Sequence, residues 1–347
     1  MERPTLKSIV DAISQPALVL SPAYRILEVN TDAREFFETP LEGLDVVRVL
    51  RQPEVRQLLA AVESSRTRQT CEIIVHRGVP RTIRVAIGPL KNGNIGGQDF
   101  LLTLTDVSGA IEAERSRSTF VANVSHELRS PLTTLQGAVE TLQGPARDNE
   151  EARARFLELM DTETQRMSRL VADLLNLAKQ EAKEHVRPAA PVRLDNILRQ
   201  VANALEASDN YHADRIVLAL HDVPVVNGSE DDLFEAFRNL VENALRYSPP
   251  ESAVTISLDY EPSTSPTRGD RVVVQVTDQG DGIADEHLPR LTERFYRVDK
   301  GRSREMGGTG LGLAIVKHIV NRHRGRLSFR SQPGEGTTAT VALPIPR

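Results

Sequence analysis

Residues Ser125-His126-Glu127-Leu128-Arg129-Ser130-Pro131-Leu132 set an imidazole beside a carboxylate inside a long helical pattern. Neutral imidazole is nucleophilic near pH 7 at its unprotonated nitrogen. An adjacent carboxylate can hydrogen-bond the other ring nitrogen, fix the tautomer and raise the basicity. His126 is therefore the candidate nucleophile and Glu127 its orienting base. Ser130, one turn on, brings a hydroxyl to the same face. Pro131 cannot donate to the carbonyl of Glu127, so a bend is expected just after the histidine. At 100° per residue, His126 lies about 200° from both Val124 and Leu128 and is expected to face outward.

A second set of residues can hold a nucleotide and its metal. Asn239 and Asn243 stand one helical turn apart, with Arg246 beside them and Tyr247 at the helix end. Two amide oxygens converging on one point are suitable hard ligands for Mg²⁺. Asp278-Gln279-Gly280-Asp281-Gly282 follows a strand pattern. The Asp278 carboxylate can accept from an exocyclic amine, while Gly280 and Gly282 are expected to let the backbone approach a purine. Phe295, Tyr296, Arg297 and Lys300 open a segment rich in cations. Gly308-Thr309-Gly310-Leu311-Gly312 then starts a helix, where free backbone amides suit phosphate. No strand pattern precedes these glycines, so the loop is not a dinucleotide fingerprint, and no Gly-Lys-Ser/Thr ending makes it a P-loop.

Each piece alone has a plain reading. A surface histidine, a solvated Asn pair, a glycine turn and a cation run are all ordinary. Their order and joint presence are what the plain readings leave unexplained. His185, His212, His221, His287, His318 and His323 show no metal-ligand spacing, and His76 falls on a strand pattern. Cys71 and His76 as heme or redox ligands are outweighed by packing and surface roles.

The chain has 347 residues, which suggests two or three domains. A net charge of −5 gives no general case for nucleic-acid binding. The single cysteine excludes an intrachain disulfide and a cysteine-based zinc cluster, and fits a reducing cytoplasm. No apolar run approaches the roughly 20 residues of a membrane-spanning helix. A soluble cytoplasmic protein is expected, or the cytoplasmic part of a longer membrane protein; membrane contact would need a segment outside this chain.

Three regions must position these groups. Residues 7–107 read as a small α/β unit: two short strands (17–20 and 25–30), helices with Phe36 and Phe37 as anchors, then strands near 71–75, 82–87 and 100–104, with a turn at 91–97. That order resembles a PAS sensor domain. Residues 108–184 read as two helices joined at Gly144-Pro145. Phe120, Val124, Leu128, Leu132, Leu135, Val139 and Leu142 form the first stripe. Phe156, Met160, Met167, Leu170, Leu174, Leu177 and Ala178 form the second. Two such helices cannot bury both seams alone, which predicts a homodimer with a four-helix bundle. Residues 192–347 alternate helices and strands as an α/β sandwich, set off by Pro188-Ala189-Ala190-Pro191 and carrying a flexible hairpin loop at 262–270.

Taken together, the motifs resemble those of bacterial two-component sensor histidine kinases. Ser125 to Leu132 is similar to the H box, and Asn239-Leu240-Val241-Glu242-Asn243-Ala244-Leu245-Arg246-Tyr247 to the N box. Asp278 to Gly282 is similar to G1, Arg294-Phe295-Tyr296-Arg297 to the F box, and Gly308 to Leu313 to G2. Gly334-Glu335-Gly336-Thr337 is similar to the final glycine turn. The resemblance implies a multidomain α+β protein with a PAS-like sensor, a HisKA two-helix hairpin and a Bergerat-type HATPase_c domain. It also implies ATP and Mg²⁺ as cofactors, autophosphorylation of His126, and transfer to an aspartate on a response regulator receiver domain. The lead-in Phe120-Val121-Ala122-Asn123-Val124-Ser125 is similar to that of phosphate-regulon sensor kinases. Arg297, Lys300 or Arg246 would add positive charge at the phosphates. Four residues after the histidine this class often has Thr or Asn, which supports regulator dephosphorylation. Ser130 keeps the hydroxyl without the rotamer-restricting methyl. Two other classes stay open: a scaffold that binds ATP without chemistry, and an ATPase of the same nucleotide-binding superfamily, in which the His126 helix has no role.

Overall fold

The computed structural model describes residues 6–77, 79–90, 99–183, 186–207, 215–263, 269–299 and 308–346. The turn at 91–97, His185, His212 and Lys300 lie outside the described residues, as does 264–268 of the expected hairpin loop. The chain divides into two compact units, residues 1–121 and 122–347.

In the first unit, α1 (Leu6–Asp11), β1 (Ala17–Leu20), β2 (Ile26–Val29), α2 (Thr31–Phe37), α3 (Val46–Val49) and α4 (Pro53–Ser65) precede β3 (Gln69–Arg77), β4 (Val79–Pro89) and β5 (Phe100–Asp106). The five strands form one antiparallel sheet in the order β2-β1-β5-β4-β3. Leu18, Leu20, Ile83, Ile87, Leu102 and Leu104 fill its buried face against Val55, Leu58, Leu59 and Val62 of α4. Asn30 is buried with its amide fully used. It donates to the carbonyls of Ile13 and Gln15 and accepts from the amides of Ala17 and Ala33, so one side chain caps α2 and fastens the chain ahead of β1. Phe37 is buried, and Phe36 meets it edge-on at 4.9 Å between centroids. Cys71 is half-buried against this core, and burial pushes its thiol up. His76 is exposed on β3.

Helix α5 (Ser108–Gln143) starts in the first unit and continues into the second, with Pro131 inside one unbroken helix. Thr141 bonds and the turn through Gly144 and Ala146 end it, and Asn149 caps α6 (Glu150–Ala182) by accepting from Ala152 N. Of the two stripes, only Leu170 and Leu177 are buried; Ala178 is exposed, and Leu132 and Val139 are 58% and 38% exposed. Most of the other stripe residues are half-buried, so much of the seam is incompletely covered in one chain.

The remaining elements are β6 (Ala190–Val192), α7 (Leu194–Glu206), β7 (Ile216–Leu220), β8 (Val226–Gly228), α8 (Glu230–Tyr247), β9 (Val254–Glu261), β10 (Arg271–Thr277), α9 (Gly312–Arg322), β11 (Arg326–Gln332) and β12 (Gly336–Pro344). Five strands order as β11-β12-β10-β9-β7, antiparallel except for β7 with β9. Strand β9 alternates with Val254, Ile256 and Leu258 buried, and α7, α8 and α9 pack on the sheet and on each other. One expectation changes: Ala190 and Pro191 are not a plain separator. They form β6 and pair with β8, so the region begins before residue 192. Among the described residues, no helix is long and apolar enough to cross a membrane.

Candidate functional site

Helix α8 buries Leu233, Ala236, Phe237, Leu240, Val241, Ala244 and Leu245, spaced at three or four. The other side turns Asn239, Asn243, Arg246 and Tyr247 into a cavity of about 640 Å³, within the usual range for a small-molecule site. Asn239 Nδ2 donates to the carbonyl and to Oε1 of Glu235 at 2.9 and 3.0 Å. The amide nitrogen is thereby spent, and Oδ1 is the atom left for a cation. A Cβ at Gly312 would come within 2.7 Å of that oxygen, so glycine keeps the space beside it open. The donor set fits a hard cation such as Mg²⁺.

Asp278 follows the end of β10. Its Oδ1 accepts from Gly280 N at 2.9 Å and Thr337 N at 3.1 Å, while its own amide donates to the Thr337 carbonyl at 2.9 Å. Burial pushes the carboxyl up and the two amide bonds oppose this. The anchored oxygen fixes the plane of the group and leaves Oδ2 for a ligand amine. Gly280 and Gly282 both line the cavity, and packing within the chain already demands glycine at each. A Cβ at Gly280 would meet the Tyr247 carbonyl oxygen at 2.5 Å, and one at Gly282 would overlap that of Gln332.

Gly308, Thr309, Gly310, Gly312, Arg297 and Thr337 also line the cavity. Phe295 and Leu311 do not. Phe295, at φ +65°, bonds through its amide to the Gly310 carbonyl at 2.7 Å and backs the glycine loop. Leu311 is fully buried ahead of α9 and anchors that loop in the core.

His126 is exposed on α5, as its helical phase requires. It lies outside that cavity, in a separate open recess with Glu127, Arg129, Ser130, Thr133 and Thr134. Glu127 does not hydrogen-bond the imidazole. Its Oε2 instead meets Arg166 of α6 and Arg297, each at 3.2 Å.

The bundle and the catalytic region meet at further polar contacts. Thr309 donates to Asp173 Oδ2 at 2.6 Å, Arg294 pairs with Glu181 at 2.7 Å, and Gln180 Nε2 donates to Asp232 Oδ1 at 3.0 Å. Asp232 also pairs with Arg322, whose Nε donates to the Val186 carbonyl at 2.6 Å. Helix α6 adds Arg169, Ala172 and Asp173 to the cavity wall. Sequence reasoning missed these, together with Glu235 and Arg166. The signal for Asp173 was slight: one carboxylate between Leu170, Leu174 and Leu177 on an amphipathic helix.

Two family models match this chain. Residues 116–183 match the His Kinase A (phospho-acceptor) domain, and residues 228–347 match the histidine kinase-, DNA gyrase B-, and HSP90-like ATPase. The phosphate regulon sensor protein PhoR of Pseudomonas aeruginosa is 43% identical over 245 residues, covering 71% of this chain and 54% of its own length. The sensor histidine kinase WalK of Bacillus subtilis is 33% identical over 94% of this chain and 51% of its own. The sensor-like histidine kinase SenX3 of Mycolicibacterium smegmatis is 37% identical over 76% of this chain and 71% of its own. The chain thus spans about half the length of the first two relatives. With the phospho-acceptor and ATPase regions both matched, and with a SenX3 relative covered over most of its length, the chain belongs to the two-component sensor histidine kinases.

Proposed function

We propose that the chain is a protein-histidine kinase that transfers the γ-phosphoryl group of ATP to His126, then to an aspartate on a response regulator receiver domain. The observation that carries this reading is the Glu127–Arg297 ion pair, which ties the neighbour of the acceptor histidine to the wall of the nucleotide cavity. Asp278 would take the adenine amine, and the loop 308–312 at the start of α9 would take the phosphates through its amides. Asn239 and Asn243 would hold Mg²⁺, which supplies charge neutralisation on the phosphates. Arg246 and Arg297 line the same cavity and add positive charge; Lys300 is proposed to do the same.

In the transfer step, an imidazole nitrogen of His126 forms the N–P bond as the bond from phosphorus to the β–γ bridging oxygen breaks. ADP leaves with the electron pair, and the imidazole proton passes to Glu127 or water. Because His126 lies outside the nucleotide cavity here, the catalytic region must move against the bundle before transfer. The connection at 184–192 is the proposed hinge, with the Arg322–Val186 bond restraining it. Ser130 shares the recess of His126 and would supply the hydroxyl for regulator dephosphorylation.

The domains are proposed as a PAS-like sensor at 7–107, a phosphotransfer hairpin at 108–184 that dimerises into a four-helix bundle, and a Bergerat-type domain expected at 192–347 and extended back to Ala190 by the pairing of β6 with β8. The strand order β2-β1-β5-β4-β3 supports the first. The similarity to the phosphate regulon sensor protein PhoR supports a phosphate-regulon type of kinase.

Incubation with γ-labelled ATP and Mg²⁺, beside His126→Ala, tests the reading. Acid-labile, alkali-stable label lost in the variant is expected. Steady phosphate release with no phosphoprotein would replace the kinase with an ATPase, and label persisting in the variant would move the nucleophile elsewhere.

A further inference from the structure

Helix α6 reaches the nucleotide cavity with a carboxylate that the proposed transfer chemistry leaves unused. Asp173 lines the cavity and accepts the Thr309 hydroxyl hydrogen bond at 2.6 Å, across 136 positions of sequence. Thr309 sits in the loop whose amides open α9, and its Oγ1 also accepts from Leu311 N at 3.3 Å. The loop is thus fastened to the bundle by a negatively charged group at the place where terminal phosphates would bind.

We propose that Asp173 is a specificity-determining residue of the nucleotide site: fastened to Thr309, its carboxylate disfavours a nucleoside triphosphate relative to a diphosphate, so that triphosphate binding must break the Asp173–Thr309 bond. This rests on the kinase reading above. A triphosphate carries more negative charge than a diphosphate and extends one phosphate further. Like charges in a partly desolvated cleft repel far more strongly than in water. The hydroxyl spent on Asp173 is also withheld from a phosphate oxygen. Glu235 adds to the negative field at Asp173, while Arg238 and Arg246 offset part of it, which limits the size of the discrimination. A ligand shifts a conformational equilibrium only by its differential affinity. Here that difference comes from the terminal phosphate. The docked arrangement of α6 with the loop is the one a diphosphate tolerates, and a triphosphate releases it toward His126.

The test measures ATP and ADP affinity of the full chain with Mg²⁺, by displacement of a fluorescent ADP analogue, for the unaltered protein, Asp173→Asn and Asp173→Ala. Asparagine keeps an acceptor for Thr309 and removes the charge. ATP is expected to bind roughly five- to tenfold tighter to both variants, with ADP changed less than about twofold. Retained ADP binding doubles as the check that the variants fold. A second measurement needs no substitution. In the unaltered chain, a non-hydrolysable ATP analogue, unlike ADP, should speed amide exchange over residues 169–182. An unchanged ATP-to-ADP ratio, or equal exchange with both nucleotides, overturns the role of Asp173 while labelling of His126 leaves the kinase reading standing. A chain that binds neither nucleotide overturns both.

Discussion

Arg297 Nη2 lies 3.2 Å from Glu127 Oε2, and Arg166 Nη2 approaches the same oxygen at the same distance. One carboxylate oxygen beside the proposed acceptor histidine thus serves two guanidinium groups, one from the bundle and one from the wall of the cavity. In these contacts Oε2 faces the two arginines, so a proton drawn from His126 would go to Oε1 or to a carboxylate turned from Arg297. Glu127→Gln keeps an acceptor for both arginines and removes the base. Its autophosphorylation rate should fall about 100-fold or more, with ATP affinity changed less than about twofold. Initial rates of acid-labile labelling, set beside nucleotide displacement, check this. A rate within about fivefold of the unaltered chain would remove Glu127 from the chemistry.

His323 makes the stability of the catalytic region depend on pH. The ring is 5% exposed; its Nε2 accepts from Ser229 N at 3.0 Å and its Nδ1–H donates to the Ile319 carbonyl at 2.7 Å. That pattern needs the neutral ring, since a proton on Nε2 would face the Ser229 N–H. Burial holds the imidazole below its ordinary value of 6.5, and Arg322 lowers it further, against the Ile319 carbonyl and Asp232. A depressed folded-state value means that stability is present above 6.5 and is lost as pH falls through the lower value. Urea midpoints should therefore drop from about pH 7.5 to about pH 5. His323→Gln should be less stable at neutral pH by about 1–3 kcal/mol and show a shallower decline. Parallel slopes for the two proteins would assign the pH dependence to other groups.

The parts of this molecule legible in sequence are those whose signal is local. Alternation marks β9, a run of valines marks β10, spacing marks α8, and Asn239, Asn243, Asp278 and the glycines sit inside short motifs whose backbone context travels with them. Within a motif, however, sequence does not say which residue faces the cavity. Leu311 turns into the core, and Phe295 contributes its backbone. Pairing of β6 with β8 escaped because three-residue strands carry no period and Pro191 reads as a break. Asp173, Arg166 and the arginine partners of Glu127 escaped for another reason. These contacts span 136, 39 and 170 positions, and only the packing of α6 on α5 and of both helices against the catalytic region brings the groups together.

Gly282 and Gly334 separate two costs of a side chain. Both have positive φ, +70° and +85°, but a Cβ at Gly334 meets nothing within 4 Å, while at Gly282 it would overlap the Gln332 carbonyl. Gly334→Ala should cost only the left-handed strain, about 1–2 kcal/mol. Gly282→Ala adds a backbone collision beneath the nucleotide cavity, so its loss should exceed that of Gly334→Ala by at least about 1 kcal/mol, and it should also weaken ATP binding. Denaturant midpoints of the two variants check the order. Equal losses would mean that the turn beside Gln332 moves aside without cost.

The exposed seam of the bundle predicts its oligomeric state. Leu132 of the first stripe, and Val171 and Leu175 beside the second, are 58%, 45% and 68% exposed in one chain, on helices of 36 and 33 residues. Burying a leucine contributes about 1.5–3 kcal/mol, so a seam of several such residues from each of two chains suffices for association at micromolar concentration. Light scattering should give about twice the 38.4 kDa of one chain. Leu132→Lys combined with Leu175→Lys should return the mass to that of one chain, because two buried ammonium groups per protomer would face an apolar seam. Neither residue lines the nucleotide cavity, so ATP affinity should hold within about twofold. A single-chain mass for the unaltered protein would leave the exposed leucines to a different partner. A dimer that survives both lysines would place the contact elsewhere on the chain.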